Sequence, residues 1–431
     1  MSSASDEDGA ARARALARPR LRAVEIIRVP EKRGGGLVTL LRDSEKVAPH
    51  NLEVPAPLDL ALAFMDGRHD CPEIARLVRA SAASQGGAGA AAIDTATVQR
   101  LARDLERAAM LEGPTAMSRR RTLVAAFKAA KVRPASFAGG AYHDDPGALG
   151  SFIDDAFERV ARRPLRGAVR GLVSPHMDFW RAADGYAAAY APLRDHFPTD
   201  VETIVVLGTC HAGMHSAFAF TKKGFRTPFG VARTDEDFVE GVAVASGVDV
   251  FADEYKHQGE HSIEFQVVHL QHVLGKRRKD VRIVPILCGL GRAQARRSDP
   301  RDDAEVERVL DAMVNRLART KALVVAGADL AHVGPRFGDG AALDREERAE
   351  LAERDGESIR RLMSRDAAGF FDHVTEDLDE RRVCGTGPLY TLLRALEAAG
   401  ATEGELFGYT QNIDPDEGSI VSHASLAFVE G

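Results

Sequence analysis

The sequence is poor in cysteine, in net positive charge and in long apolar runs. Its four cysteines (Cys71, Cys210, Cys288 and Cys384) are too few in 431 residues for a disulfide framework, so each thiol needs its own explanation. Lys and Arg total 57 against 64 Asp and Glu, a net charge of −7, which argues against wholesale phosphate neutralisation and leaves only a local basic patch conceivable. No apolar run reaches the roughly 18 to 20 residues of a membrane span. Met1 to Arg20 lacks the apolar core of a signal peptide, so a cytoplasmic location is expected. There is no phosphate-cradling glycine loop with its Lys-Ser/Thr, no serine elbow and no CxxC pair, and Gly34–Gly36 falls in a hairpin turn. What is present, 45% hydrophobic, 28% charged and 6% aromatic residues, excludes a collagen-like or wholly disordered chain.

The length suggests two or three domains. Residues 1–20 have nothing to bury and read as a disordered tail. Residues 21–113 open with apolar runs Val24–Val29 and Leu37–Leu41 around the turn-like Lys32-Arg33-Gly34-Gly35-Gly36, a hairpin pattern. Leu58, Ala61, Leu62 and Met65 share a helical face closed by Gly67, and Asp70-Cys71-Pro72-Glu73 starts a second helix. Ser81–Ala92 reads as a flexible loop, and Asp94 caps a third helix with Val98, Leu101, Leu105 and Met110 as its stripe. These describe a small winged-helix-like module with no catalytic cluster. Residues 114–132 read as a connector. Residues 133–431 alternate apolar strands with amphipathic helices, which implies one large α/β domain. Its expected strands are Gly171–Ser174, Thr203–Gly208, Ser216–Thr221, Val281–Cys288, Ala322–Gly327, Leu406–Gln411 and Ser419–Phe428.

Three of these strands run into a histidine: Ser174-Pro175-His176, Gly208-Thr209-Cys210-His211, and Gly327-Ala328-Asp329 leading to His332. In open α/β sheets sites lie beyond the carboxyl ends of the strands, where such residues would have to stand. Cys384, in Val383-Cys384-Gly385-Thr386-Gly387-Pro388, begins a helix whose dipole favours a thiolate, although a lone cysteine also serves as a small buried hydrophobe. Two imidazoles and a thiolate suit iron, copper or zinc, and three protein ligands leave a coordination position open. In Gly259-Glu260-His261-Ser262-Ile263-Glu264, His261 either caps a helix or serves acid–base chemistry, and Asp329 can orient an imidazole. His215 and His257 are weaker candidates, His269 and His272, three apart on an expected helix, read as packing or surface residues, Cys210 as a second thiol near the site, and Cys71 and Cys288 as core.

Taken in order, these elements resemble the Memo family, the B protein of the AmmeMemoRadiSam system. The resemblance covers residues from about Arg133 to the C-terminus. It rests on Arg133-Pro134-Ala135-Ser136-Phe137-Ala138-Gly139-Gly140-Ala141-Tyr142, on Pro175-His176, Gly208-Thr209-Cys210-His211 and Glu260-His261-Ser262-Ile263-Glu264, and on Val284-Pro285-Ile286-Leu287, Asp329-Leu330-Ala331-His332 and Cys384-Gly385. It implies a fold similar to class III (LigB-type) extradiol dioxygenases, with His176, His211 and Cys384 as metal ligands and His261, Asp329 and His332 as further pocket residues. Asp178 departs from the family pattern by placing a carboxylate near the first ligand, and Tyr409–Asp414 follows the family only loosely. The first module is similar to PqqD-type peptide-binding domains through Phe64-Met65-Asp66-Gly67, Cys71-Pro72-Glu73-Ile74-Ala75 and Met110-Leu111-Glu112-Gly113.

The expected function is therefore a metal-dependent, dioxygenase-like oxidoreductase holding iron or copper, with zinc less favoured, and acting with a radical-SAM system. The alternatives are a non-catalytic adaptor or metal-delivery partner, whose first module binds a radical-SAM enzyme or a precursor peptide, and a zinc hydrolase using the same ligands.

Overall fold

A computed structural model describes residues 2–30, 37–43, 45–84, 92–290, 298–376 and 378–430. The chain divides into two compact units, Met1–Ala129 and Ala130–Gly431. Among the described residues no helix is long and apolar enough to cross a membrane.

The first unit contains α1 (Ser2–Ala17), an antiparallel sheet of β1 (Glu25–Pro30), β2 (Leu37–Arg42) and β3 (Leu52–Pro55), a 3-10 turn at Leu58–Phe64, then α2 (Cys71–Ser84), α3 (Thr95–Arg107) and α4 (Pro114–Ala129). Asp94 caps α3 as its position predicts, its Oδ1 accepting from Thr97 N at 2.8 Å. Ile74, Val78, Val98, Leu101 and Leu105 form the core together with Leu41 and Val54.

Three sequence expectations change here. The tail expected to be disordered is helical over Ser2–Ala17, because Leu16 packs on that core and its carbonyl accepts from Cys71 Sγ at 3.4 Å. The expected connector is the helix α4, with Ala116 and Phe127 buried, so the first unit ends at Ala129 rather than at Gly113. The third strand, Leu52–Pro55, was not anticipated. Of the expected loop, Ser81–Ser84 complete α2 and residues 85–91 lie outside the described residues, as does the hairpin turn at 31–36.

The second unit comprises β4 (Val132–Arg133), α5 (Pro146–Arg159), β5 (Val169–Ser174), α6 (Phe179–Asp195), β6 (Thr203–Thr209), β7 (Phe218–Phe220), β8 (Gly224–Thr227), β9 (Gly230–Ala232), α7 (Glu236–Ser246) and α8 (Ser262–Leu274). It continues with β10 (Arg282–Cys288), α9 (Ala304–Leu317), β11 (Ala322–Gly327), β12 (His332–Val333), α10 (Arg345–Met363), α11 (Ala367–Thr375), α12 (Thr386–Leu396), β13 (Glu403–Ile413) and β14 (Ile420–Val429). The main sheet has the order β12-β14-β5-β11-β6-β10-β7, with β13 paired to β14. Its central strands β5, β11, β6 and β10 are parallel, so a mixed α/β fold is observed.

Apolar runs in those strands are buried on both faces, as parallel strands between helical layers require. Val205, Leu207, Val324 and Ala326 pack towards α7, α9 and α12, whereas Ile204, Val206, Leu323 and Val325 pack towards α6 and α8. Because β5, β11 and β6 are adjacent and parallel, the residues following Ser174, Gly327 and Thr209 emerge together at one edge of the sheet.

Candidate metal centre

His176, His211 and Cys384 each offer a ligand atom, and these atoms lie within 4.8 Å of one another. The two imidazoles come from the ends of β5 and β6, and the thiol from the turn before α12. His176 is buried, Cys384 half-buried and His211 exposed, so the cluster is open on the His211 side.

The ring orientations follow from hydrogen bonds. A carbonyl can only accept, so the contact of His176 Nδ1 with Gly327 O at 2.9 Å places a proton on Nδ1 and turns Nε2 towards Cys384 Sγ, 3.2 Å away. His211 Nδ1 lies 3.1 Å from each oxygen of Glu260, so its Nε2 is likewise left for the cluster. Second partners of this kind fix the tautomer of a ligating histidine. The Glu260 carboxylate also accepts the backbone N–H groups of His211 (2.8 Å), His261 (2.8 Å) and Ser262 (2.9 Å). His261 therefore occupies the cap position of α8 without capping it; the carboxylate of Glu260 does that work.

The electrostatics agree with this geometry. Burial opposes a charge on His176, but the thiol of Cys384 and the carboxylate of Asp329 prevail and raise its pKa to about 9. Burial likewise opposes a thiolate, yet His176 and His332, with hydrogen bonds from His176 and His211, lower Cys384 to about 5. Each partner thus favours the charged form of the other. His211 is raised well above the ordinary imidazole range by Glu260 and Cys384 against its loss of hydration, and Glu260 is held well below the carboxylate range by His211 and His261 despite burial.

The other anticipated residues lie around this cluster. The His261 ring stacks on that of His211 at 4.7 Å and 15° and stands 5.4 Å from His176; burial holds it neutral, with a pKa near 3. Asp329 accepts the backbone N–H of His176 at 3.0 Å and places Oδ2 3.5 Å from its Nε2, so the imidazole it orients is His176. His332 is half-buried, its Nδ1 3.2 Å from Leu330 O and its ring edge-on to Phe337. Asp178 caps α6, accepting from Arg181 N at 3.2 Å, and pairs with the Arg181 guanidinium at 2.7 Å. Cys210 Sγ reaches Gly213 O at 3.7 Å, and burial and Glu260 raise its pKa, so it stays a thiol; Cys71 and Cys288 are buried core residues.

Glycines let these elements approach. A Cβ on Gly208 would stand 2.5 Å from Ser262 Oγ, and one on Gly385 would stand 2.5 Å from Asp329 O. Ser262 Oγ donates to Thr209 O, and Thr209 Oγ1 donates to Cys384 O, both at 2.8 Å, which links α8, β6 and the cysteine turn. That turn is anchored by buried Arg381, which donates to Asp355 Oδ1 at 2.7 Å and accepts at its carbonyl from His332 N at 2.7 Å. Leu378, Asp379 and Arg382 on the approach to Cys384 have φ of 61°, 59° and 50°, a conformation unfavourable for side chains with a Cβ.

The sequence reading passed over two residues. Arg133 is buried, forms an ion pair with Glu264 and donates to His257 O, Pro134 O and Glu260 O, clamping the 133–142 segment to the start of α8. His423, on β14, is buried with neither ring nitrogen hydrogen-bonded, and it acts electrostatically on Asp329. Its place inside an apolar alternating strand was its only sequence signal.

Residues 133–427 match the family model described as Memo-like protein. The chain belongs to the Memo family. Among Memo relatives, a MEMO1 family protein of Aquifex aeolicus is 27% identical over 69% of this chain and 72% of its own length. MEMO1 family proteins of Thermococcus onnurineus and Thermococcus kodakarensis are 29% and 30% identical, each over 69% of this chain and 99% of theirs. An uncharacterised protein of Escherichia coli K12, known from a crystal structure, aligns over 61% of this chain and 100% of its own at 13% identity and a TM-score of 0.33, too remote a likeness to carry argument. The Memo match begins at Arg133, the residue that clamps the candidate site, and takes in every strand of the main sheet except the last residues of β14.

Proposed function

We propose that this chain is a metal-binding Memo protein in which His176, His211 and Cys384 hold one redox-capable transition ion, iron or copper in preference to zinc, and that it works as a dioxygenase-like oxidoreductase alongside a radical-SAM system. The observation that carries this reading is the convergence of one sulfur and two Nε2 atoms whose partner nitrogens are already committed to Gly327 O and Glu260. The donor set fits such an ion: a thiol biased to thiolate and two imidazoles, each ligating at Nε2 once that nitrogen gives up its proton to the incoming metal, suit soft-to-borderline metals and leave a coordination position open. When bound, such an ion supplies Lewis acidity and one-electron chemistry to a ligand in its open position.

The chain's own residues set the surroundings. Glu260 and Gly327 fix the rings, and Asp329 holds the His176 backbone N–H and flanks its Nε2. His261, held neutral by burial and stacked beside His211, offers one N–H donor and one acceptor nitrogen beside the cluster. His332 biases the thiolate.

Anaerobic purification followed by elemental analysis and electron paramagnetic resonance tests the assignment. Near-stoichiometric iron or copper is expected, and it should vanish when His176→Ala is combined with Cys384→Ala. Stoichiometric metal surviving both changes would count decisively against it.

The adaptor reading is favoured by one observation, the separate core of the first unit. On that reading the unit captures a radical-SAM enzyme or a precursor peptide. Because α4 belongs to this unit, the informative truncation removes residues 1–129. Undiminished partner capture after that deletion excludes the adaptor role.

A further inference from the structure

The end of the sheet opposite the imidazole–thiol cluster carries an unexplained concentration of positive charge. Arg282 is the first residue of β10 and pairs in register with Thr203, the first of β6, whereas His211 follows the last residue of β6. Two adjoining hollows of about 440 and 420 Å³ lie at this end and share Val231 and Arg233. Lys131, Lys222 and Arg282 line the first with Arg233, and Arg278 and Lys279 line the second. Lys222 is paired with Glu240, but among the described residues Lys131, Arg233, Arg278, Lys279 and Arg282 have no carboxylate partner. In a chain of net charge −7 such a group is a local exception. Unpaired like charges held together repel one another, an arrangement whose cost an anionic partner removes.

The shape of the surface selects among anions. β9 is an edge strand of the β4-β8-β9 sheet, and the two hollows meet on it at Val231. At their junction Val231 is 36% exposed, with Phe229 lining the second hollow. Glu236 and Asp237 stand among the cations of the first hollow. A polyphosphate backbone carries charge at every step and would meet those two carboxylates, and it offers nothing to Val231. An acidic peptide can place carboxylates on the cations, an apolar side chain on Val231, and uncharged backbone past Glu236 and Asp237.

We infer that the groove along β9 is a docking surface for an extended acidic segment of a partner protein, built from alternating carboxylate and apolar residues. The inference is independent of the metal assignment, since its residues lie at the other end of the strands.

The test uses the full chain and a fluorescein-labelled ten-residue peptide of alternating glutamate and valine, followed by anisotropy. Binding is expected at 50 mM NaCl, weakened at least tenfold at 300 mM because the contacts are exposed and screened. Arg233→Glu with Arg278→Glu should weaken it by at least tenfold, and Val231→Ser by a smaller factor, with circular dichroism and metal content unchanged. If the double variant misfolds, Arg282→Glu, an exposed position at a strand start, serves in its place. No binding at 50 mM NaCl, or binding indifferent to these charge reversals, overturns the inference. So does tighter binding of a twenty-nucleotide single-stranded DNA or of pyrophosphate with the same sensitivity to the reversals, because the surface would then read phosphate.

Discussion

Glu260 holds more of the site together than its neighbours do. One carboxylate satisfies three backbone N–H groups and the His211 ring, so it fixes both the start of α8 and the direction of a candidate ligand. In Glu260→Gln the amide keeps one acceptor oxygen and turns its NH₂ towards groups that are themselves donors. The expected result is metal affinity lower by about 10- to 100-fold in chelator competition, the usual effect of losing a partner of a ligating histidine, with stability reduced by about 1–3 kcal/mol in urea unfolding. Affinity equal to that of the unaltered chain would show that the contact does not orient His211. At this scale legibility was uneven. His176, His211 and Cys384 could be singled out because strand ends and a glycine turn mark such positions in sequence. The partnership of Glu260 with His211 spans 49 residues and the clamp of Arg133 on Glu264 spans 131, distances over which no local pattern signals contact.

At the scale of elements, the packing of α8 against α6 hides an imidazole where an aromatic ring would serve. His269 stacks on Tyr186 at 4.2 Å and 6°, lies 4.4 Å from Phe179, and donates Nδ1–H to Phe265 O at 3.0 Å. Burial without a nearby carboxylate lowers its pKa to about 3. The unfolded chain, with an ordinary imidazole near 6.5, then takes up this proton first as pH falls. Stability from His269 is complete above about pH 6.5 and declines as pH drops towards 3, by about 1.4 kcal/mol per pH unit. His257, similarly buried with a pKa near 3, adds a second such term. His269→Phe should therefore flatten the acid side of the stability profile by about 1.4 kcal/mol per unit between pH 6 and 5 in urea titrations. An unchanged slope would mean that His269 becomes hydrated before the protein unfolds. The unbroken apolar run of β11 was readable in the sequence as a strand buried on both faces. α5 was missed although Asp145 caps it before Pro146 and Leu149, Ile153 and Phe157 face inwards, because its polar residues interrupt the pattern. The short pair β8 and β9 owes its existence to pairing rather than to propensity.

At the scale of the molecule, the two units have separate apolar cores, Ile74 and Leu105 belonging to one and Val205 and Val324 to another. Residues 130–431 made alone should fold cooperatively and retain the metal stoichiometry of the full chain, measured by calorimetry and elemental analysis. Loss of cooperative unfolding in that fragment would show that the first unit is required for the second to fold. The α/β class and the edge of the sheet that carries the candidate cluster were legible because alternating strands and helices have few ways to pack. The boundary at Ala129 was not, since α4 is rich in Arg, Lys and Ala and only its Ala116 and Phe127 are buried.

The donors of the cluster are mounted in two different ways. The rings of His176 and His211 hang from two strands of one sheet with β11 between them, while the sulfur arrives at the tip of a bent arm through Leu378, Asp379 and Arg382. Such a site is half rigid and half sprung. If the proposed ion binds there, its grip on the sulfur would help hold the arm in its costly bend, and the cysteine turn, alone among the three, would have a reason to relax without it.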